Sequence, residues 1–453
     1  LKYWAEFVAS VRTLNSFVYR GILRRYQADI LDRGGMTAIS PFNGGQVTSR
    51  HSAAGVRGQN AYYFPGADDF WLLVQRGSFQ FGHPLSEMIG PTGEWLHLWR
   101  RKTVSRSLVG DEFGRLIAAS RRAVDKIPDG GRSTALVLGH ENFAHLFWNE
   151  LPALHMWLET VSDATLETMT LALTGEPLGP LCEMYPRLAL ARHGELPHAP
   201  RSLPLHVRLG GQRVPTEVRD HVRRFVAARG DTPCVAALLK IIARGFPRVW
   251  ISVRHGSRTP DNQTEFLLAV VRRVLLVFPL AAIVFDGFSF PAGFFGDSRT
   301  RSFRSEFQER ASVDRSFMEF LIGEIGREHG SGIASRLCTT SGLSLPEAIN
   351  VAGSCSFYLC HAGTLQHKIA WFHDVPGVVH TAPNDHKYAL WCASFIEGAI
   401  RPKFLPETFS IPTSPPINKS NIARNYNYLI ANVEQAAETV VSMFQKVQSV
   451  PSS

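Results

Sequence analysis

One pattern recurs along the chain and limits what it can fold into: a short apolar run, a turn of Gly and polar residues, then a helix-length amphipathic segment. It occurs at Ala135-Leu136-Val137-Leu138-Gly139, at 168–173, at Val249-Trp250-Ile251-Ser252-Val253 and at 280–285. It returns near 335–339, at Cys355-Ser356-Phe357-Tyr358-Leu359 and at Gly377-Val378-Val379-His380. Strands apolar on both faces, alternating with helices, require a parallel sheet covered by those helices. Two such blocks, parted by a Pro/Gly/His-rich stretch at 193–215 and a break at Arg244-Gly245-Phe246-Pro247, predict an α/β chain with two Rossmann-like domains facing a cleft.

The first 60 residues predict an amphipathic helix (Trp4, Phe7, Val8, Val11, Leu14, Phe17 and Val18 at helical spacing) followed by a loop. Short aromatic runs over 61–118 predict strands and hairpins, so the first block carries a β-rich extension. The expected divisions are 1–60 (helix and loop extension), 61–245 (first α/β domain), 246–424 (second) and 425–453 (a helix crossing back onto the first domain).

A length of 453 residues suits two domains rather than one core. A net charge of +9 suits an anionic ligand. The arginines are dispersed and form no recognition helix, which argues against nucleic acid. Lys2, Arg12, Arg20, Arg24 and Arg25 beside the apolar positions of the first helix leave two readings: a core-packing helix, or peripheral contact with an anionic membrane. No apolar stretch is long enough to span a bilayer. The six cysteines (182, 234, 338, 355, 360, 392) show no Cys-x-x-Cys spacing and read as inert thiols of a reducing compartment, and with no signal segment recognised the expected setting is cytoplasmic. Asp68-Asp69 precedes a strand instead of ending one, and no helical His pair stands beside a carboxylate, so no metal site is expected.

Three strand-to-helix turns can carry chemistry. After Ala135–Gly139, the residues Asn142, His145 and Asn149 are spaced to share one helix face, which alternatively is only a capped, buried helix. After Val249–Val253 comes Arg254-His255-Gly256-Ser257-Arg258-Thr259-Pro260-Asp261-Asn262, where two guanidinium forks match phosphate oxygens unless they are merely solvated. The third is Cys360-His361-Ala362-Gly363-Thr364, whose small residues let backbone amides approach a pyrophosphate.

In that order, the three turns resemble glycosyltransferase family 61 and its bacterial capsular-polysaccharide-type relatives. The resemblance covers about residues 130–385. It is carried by Asn142-Phe143-Ala144-His145 through Leu151-Pro152, by Ser252, Arg254, Arg258 and Asn262, and by His361-Ala362-Gly363-Thr364-Leu365 followed by Gly377-Val378-Val379. The chain departs from the family pattern at Ala144, Asn149, Ala153 and His380.

The resemblance implies a GT-B-like fold, a nucleotide-sugar donor, a glycan or glycolipid acceptor, inversion at the anomeric carbon, and neither cofactor nor essential metal. Arg254, Arg258, Asn262 and the turn His361, Ala362, Gly363, Thr364 would then hold the donor diphosphate. Asn142 and Asn149 would face the acceptor, and His145 would serve as base. Glu150 is the next candidate, although its helical position turns it away from the His145 face.

A competing local match is Arg254-His255-Gly256-x-Arg258-x-Pro260, which resembles the histidine acid phosphatase loop. There His255 would be phosphorylated, with His373-Asp374 or His361 assisting. An inactive nucleotide- or carbohydrate-binding relative is the third reading.

Overall fold

The computed structural model describes residues 2–54, 59–65, 71–75, 84–99, 134–194, 205–296, 304–383, 394–413 and 427–448, except 20, 21, 212 and 257, together with 115, 117 and 118. The Asp68-Asp69 pair and Ser257 of the arginine loop lie outside the described residues. The chain forms two compact units: Leu1–Glu176 with Pro180–Val214, and Pro177–Gly179 with Pro215–Ser453.

In the first unit, helix Trp4–Leu14 is followed by two antiparallel pairs, β1 (Phe17–Val18) with β2 (Leu23–Arg24) and β3 (Met36–Ile39) with β4 (Gln46–Ser49). A five-stranded antiparallel sheet comes next, β5 (His51–Ala54), β6 (Asn60–Phe64), β7 (Trp71–Gln75), β8 (Leu85–Ile89) and β9 (Trp95–His97). Its aromatic-rich strands bury Tyr63, Leu72, Val74 and Trp95 on one core face, as period-two packing requires. Phe7 and Val11 of the first helix are fully buried, and Phe7 meets Trp71 edge-on at 5.3 Å. Phe7, Val11 and Leu14 are therefore core, while Phe17 and Val18, expected on the same helix face, form β1 with Phe17 exposed. Among the described residues no helix is long and apolar enough to cross a membrane.

The parallel sheet of this unit contains β10 (Thr134–Leu138), β11 (Thr170–Leu173), β12 (Arg192–His193) and β13 (Leu205–Val207) in the order β12-β11-β10-β13. The 193–215 stretch is thus not only loop: it supplies the fourth strand. Ser52 of β5 accepts the His206 amide at 2.7 Å, which ties residues 1–60 to this unit and removes the expected boundary at 60.

The second unit is built on a six-stranded, all-parallel sheet: β14 (Arg248–Ser252), β15 (Ala282–Asp286), β16 (Leu337–Thr339), β17 (Phe357–His361), β18 (Gly377–His380) and β19 (Lys403–Phe404). Spatial order is β16-β15-β14-β17-β18-β19, which in strands counted from β14 is 3-2-1-4-5-6, the doubly wound arrangement. The fold is mixed α/β with parallel sheets.

The domain division falls at 214/215 rather than at 245. Helices Thr216–Arg229 and Pro233–Ile242 pack on helix Leu345–Ala352 of the second unit. Thr232 Oγ1 donates to Glu347 at 2.8 Å, and Arg219 pairs with Asp374 at 2.8 Å. The C-terminal helix is also corrected. Val433–Gln448 packs on helix Gln263–Val277 of its own unit, burying Ala436, Ala437, Val440, Val441 and Phe444 in that core. Before it, β21 (Tyr428–Ile430) pairs antiparallel with β20 (Ser410–Pro412), a hairpin that the tail's composition hides.

Candidate functional site

Parallel strands of order 3-2-1-4 present ligands where strand 1 and strand 4 diverge, beyond their carboxyl ends. In the second unit those strands are β14 and β17, followed by Arg254–Arg258 and by Ala362–Thr364. The side chains converge there. A Cβ placed on Gly363 would lie 3.5 Å from Arg258 Nη1 and 3.9 Å from Arg254 Nη1. Gly363 has φ +112° and ψ −151°, a backbone region open essentially to glycine alone. Arg258 itself holds φ +62°, unusual for a side chain of its size.

The loop is held from its flanks. Gln263, at the start of the helix after the loop, accepts the Arg254 amide at 3.0 Å and donates to the Arg254 carbonyl at 2.9 Å. Thr259 N–H donates to Asn427 Oδ1, and Asp261 N–H to the Tyr428 carbonyl at 2.7 Å. Asn262, expected on the diphosphate, is corrected: its Nδ2 donates to the Ile430 carbonyl and its Oδ1 accepts the Ile430 amide, both at 2.9 Å. It fastens β21 to the loop.

Under the arginines lies a buried histidine cluster. Ser252 Oγ accepts the His361 amide at 2.9 Å and lies 3.0 Å from His361 Nδ1. The hydroxyl thus links the His361 backbone to its own ring. The other ring nitrogen, Nε2, is buried and has no hydrogen-bond partner among the described residues. Burial, then the fields of His380, Arg254, His255 and Arg258, hold the His361 pKa well below its ordinary value. The His380 ring lies 4.3 Å away, tilted by 56°, with its Nδ1 2.7 Å from Tyr428 Oη, and burial lowers its pKa to about 3. Two guanidinium groups over a buried neutral ring leave this edge positive, which suits an anion. The Ala362 amide is not available to such an anion, because it donates to the His380 carbonyl at 3.1 Å. The amides of Gly363 and Thr364 open helix Thr364–Ala370 and have no acceptor within that helix.

Two carboxylates missed by sequence reasoning shape this edge. Asp314, from helix Arg304–His329, accepts His255 Nδ1 at 2.6 Å and the Phe288 amide at 2.7 Å. Asp286, at the end of β15, is fully buried and accepts Lys368 Nζ at 2.9 Å on both oxygens. Lys368 also donates to the Gly287 carbonyl at 2.6 Å and to Ser289 Oγ at 2.9 Å, pinning the helix after the third turn to the end of β15. A carboxylate closing the apolar run 280–285 was the one available sequence signal for Asp286. Nothing local marks Asp314.

At the equivalent edge of the first unit, Gly139 (φ +94°) lets the chain pass so close to Gly175 that a Cβ would meet its carbonyl at 2.3 Å. Asn142 caps the next turn, accepting the Ala144 amide at 3.0 Å. The expected continuous helix is interrupted: Phe143–His145 is α, Leu146–Glu150 is π, and α resumes at Leu151–Thr160. The π turn still brings Asn149 Oδ1 to 3.3 Å from His145 Nδ1, while Asn149 Nδ2 donates to the Gly211 carbonyl at 3.1 Å. Asn149 is fully buried, so it orients His145 instead of meeting an acceptor. Burial lowers the His145 pKa to about 4, with Asn149 opposing. Glu150 is corrected as a base candidate. It is fully buried, accepts Arg208 Nη1 at 2.9 Å and the Gly139 amide at 2.7 Å, and burial lifts its pKa to about 7 against the pull of Arg208.

Among the described residues no three His, Cys, Asp or Glu side chains converge as a metal site. The pair His373-Asp374 precedes β18 and so stands at the amino edge of the sheet, opposite His255; His373 Nε2 lies 2.7 Å from the Ile349 carbonyl.

No protein-family model and no curated protein matches the chain. Among solved structures it is similar to the ADP-heptose lipopolysaccharide heptosyltransferase II of E. coli, at 9% identity over 76% of this chain and 83% of that one, TM-score 0.31. It is similar to a glycosyl transferase family 9 protein of Veillonella parvula, at 9% identity over 69% and 97%, TM-score 0.31. A further likeness is to S. aureus MnaA, solved with UDP, at 12% identity over 77% and 76%, TM-score 0.29. At such identities and TM-scores these likenesses give no residue correspondence, and the functional reading rests on the chain's own geometry.

Proposed function

We propose that the chain is a glycosyltransferase whose second unit grips the diphosphate of a nucleotide-sugar donor. One observation carries this reading: Arg254 and Arg258 close on the Gly363 turn at the strand-1/strand-4 switch point of a 3-2-1-4-5-6 sheet. Guanidinium forks supply positive charge and donors where charge develops on the departing diphosphate. The acceptor is a glycan or glycolipid hydroxyl, attacking with inversion and without an essential metal. His145, neutral near pH 7 because its pKa is lowered to about 4, is proposed as the group that takes or orients the acceptor proton, with Asn149 fixing its ring. Glu150 is proposed as a positioning group that joins Arg208 to the Gly139 turn.

A phosphatase reading has one observation in its favour: Arg254, His255, Arg258 and His361 share one edge of the sheet. Against it stands the place of His373-Asp374 at the other edge of the sheet.

The test is a screen of nucleotide sugars for donor hydrolysis and for transfer to glycan acceptors. Turnover is expected from one donor class, and His145→Ala is expected to lower it on the order of 10²-fold or more with donor binding retained. Full activity in a folded His145→Ala variant contradicts the base assignment. An acid-labile phosphohistidine formed from a phosphomonoester, and lost in His255→Ala, contradicts the transferase reading.

A further inference from the structure

In the first unit, His140 stands just beyond the carboxyl end of β10, and its ring centre lies 5.0 Å from that of His145, tilted by 59°. Its backbone is clamped. The His140 amide donates to the Gly175 carbonyl at 3.0 Å, and a Cβ on Gly175 would meet the His140 carbonyl carbon at 2.9 Å. The Asn142 amide donates to His140 Nδ1 at 2.8 Å. A backbone N–H can only donate, so Nδ1 holds a lone pair, the ring is neutral and its hydrogen is on Nε2. For His145 the opposite holds. Asn149 Nδ2 donates to the Gly211 carbonyl at 3.1 Å, so it is the amide oxygen that faces His145 Nδ1 at 3.3 Å. That oxygen can only accept, so the neutral His145 ring carries its hydrogen on Nδ1 and a lone pair on Nε2. Burial, then the fields of His145 and Arg208, lower the His140 pKa to about 3, and burial lowers that of His145 to about 4, in keeping with two neutral rings at pH 7. Both histidines are half-buried, whereas Asn149 is fully buried.

We infer that His140 is a catalytic residue that donates its Nε2 hydrogen to the acceptor hydroxyl oxygen and so holds that O–H toward His145 Nε2. The inference rests on the proposed transferase reading and deepens it on the acceptor side. Two neighbouring imidazoles of opposite tautomer offer one donor and one lone pair, which match a group that both accepts and donates. A sugar hydroxyl is such a group. An anion is not, since the bare Nε2 would repel it, and Arg208, whose field reaches His140, is already paired with Glu150 at 2.9 Å. In the step, the acceptor O–H bond breaks and its proton passes to His145 Nε2. The oxygen's electron pair forms the new bond to the anomeric carbon, and the bond from that carbon to the diphosphate oxygen breaks with its pair leaving on the diphosphate. His140 exchanges no proton. Its N–H binds the second lone pair of the acceptor oxygen, the one that does not attack. The Asn142 amide and Asn149 hold the two rings by their Nδ1 atoms, so the pair is oriented before an acceptor arrives.

Two measurements test this. Ring-nitrogen NMR of the wild-type chain, isotope-labelled at histidine and held near about pH 7, reads the tautomers directly. His140 is expected to carry its hydrogen on Nε2 and His145 on Nδ1, and the other tautomer at either ring overturns the inference without recourse to activity. The second is steady-state transfer from uridine- and guanosine-diphosphate sugars to methyl glycosides by the wild type, His140→Asn and His140→Gln. An asparagine oxygen reaches the amide two residues on, as His140 Nδ1 does, so His140→Asn keeps the turn and loses the donor. Glutamine supplies an N–H at about the reach of Nε2 and leaves the turn without its acceptor. His140→Asn is expected to lower kcat/KM for the acceptor about tenfold, with affinity for the donor's nucleoside diphosphate unchanged, and His140→Gln to recover most of that loss. A role in the turn alone predicts the reverse order, full activity in His140→Asn and loss in His140→Gln, and that order would leave the transferase reading standing and the role of His140 wrong. If the wild type turns over none of these donors, the reading and the inference fall together.

Discussion

Replacing Asp286 with alanine is expected to lower the stability of the second unit by about 3–5 kcal/mol, more than any surface change in the chain. The carboxylate is fully buried and binds Lys368 through both oxygens, with Thr340 Oγ1 donating a third hydrogen bond at 2.7 Å. Burial raises the Asp286 pKa, and Lys368 and Thr340 oppose it. Removing the anion strands an ammonium group that is only 4% exposed. Its remaining partners, the Gly287 carbonyl and Ser289, cannot neutralise it. Replacing both partners together, Asp286→Leu with Lys368→Met, is expected to recover most of the loss, since an apolar pair leaves no charge to desolvate. Urea unfolding measures both. A loss below about 1 kcal/mol in the single variant would show that the pair is not what joins the helix after Gly363 to the sheet.

Acid is expected to unfold the chain early, because several histidines are buried neutral. Burial lowers the pKa of His140 and His380 to about 3 and of His145, His206 and His373 to about 4, against an ordinary value of 6.5. His361 is lowered as well. Each group binds its proton more tightly in the unfolded chain, so the folded state keeps its full advantage above about pH 6.5 and loses it as pH falls toward 4. Glu150, raised to about 7, acts in the opposite sense: taking up a proton below that pH relieves the folded state. With each histidine worth on the order of 2 kcal/mol near pH 4 and total stability of about 5–15 kcal/mol, the set together removes most of that stability. Urea midpoints followed from about pH 7 to about pH 4 should show net uptake of several protons on unfolding. Uptake of fewer than about two would contradict the buried-neutral assignment.

These two effects mark the limit of what local sequence could show. The strand-to-helix units were legible because burial on both faces leaves an unbroken apolar run such as Val249–Val253, and a polar turn must follow it. Strand placements agree with the sequence to within about two residues, whereas the helix Arg304–His329 begins inside a Gly/Phe/Ser-rich stretch that reads as loop. The amphipathic start of the chain was legible as a helix but not as to its partner. A stripe of Phe7, Val11 and Leu14 looks the same whether it meets Trp71 or a lipid surface.

Long-range partners left no trace. Lys368 and Asp286 are 82 residues apart, and His255 and Asp314 are 59 apart, so only the tertiary fold reveals either pair. Spacing arguments also assumed an unbroken α-helix after Gly139. The π turn at Leu146–Glu150 preserved the His145–Asn149 contact yet turned Glu150 inward to Arg208. Asn262 fits a donor-binding pattern by its place in the loop, but β21, which claims its side chain, is 168 residues away.

The central claim is that Arg254 and Arg258 grip a diphosphate against the Gly363 turn, and calorimetric titration tests it most directly. Uridine diphosphate titrated into the wild-type chain and into Arg254→Ala/Arg258→Ala should bind the first and lose at least about 10²-fold in affinity to the second, two charge-assisted contacts being worth about 3–6 kcal/mol. Equal affinity in the two proteins, with the double variant folded, would contradict the account.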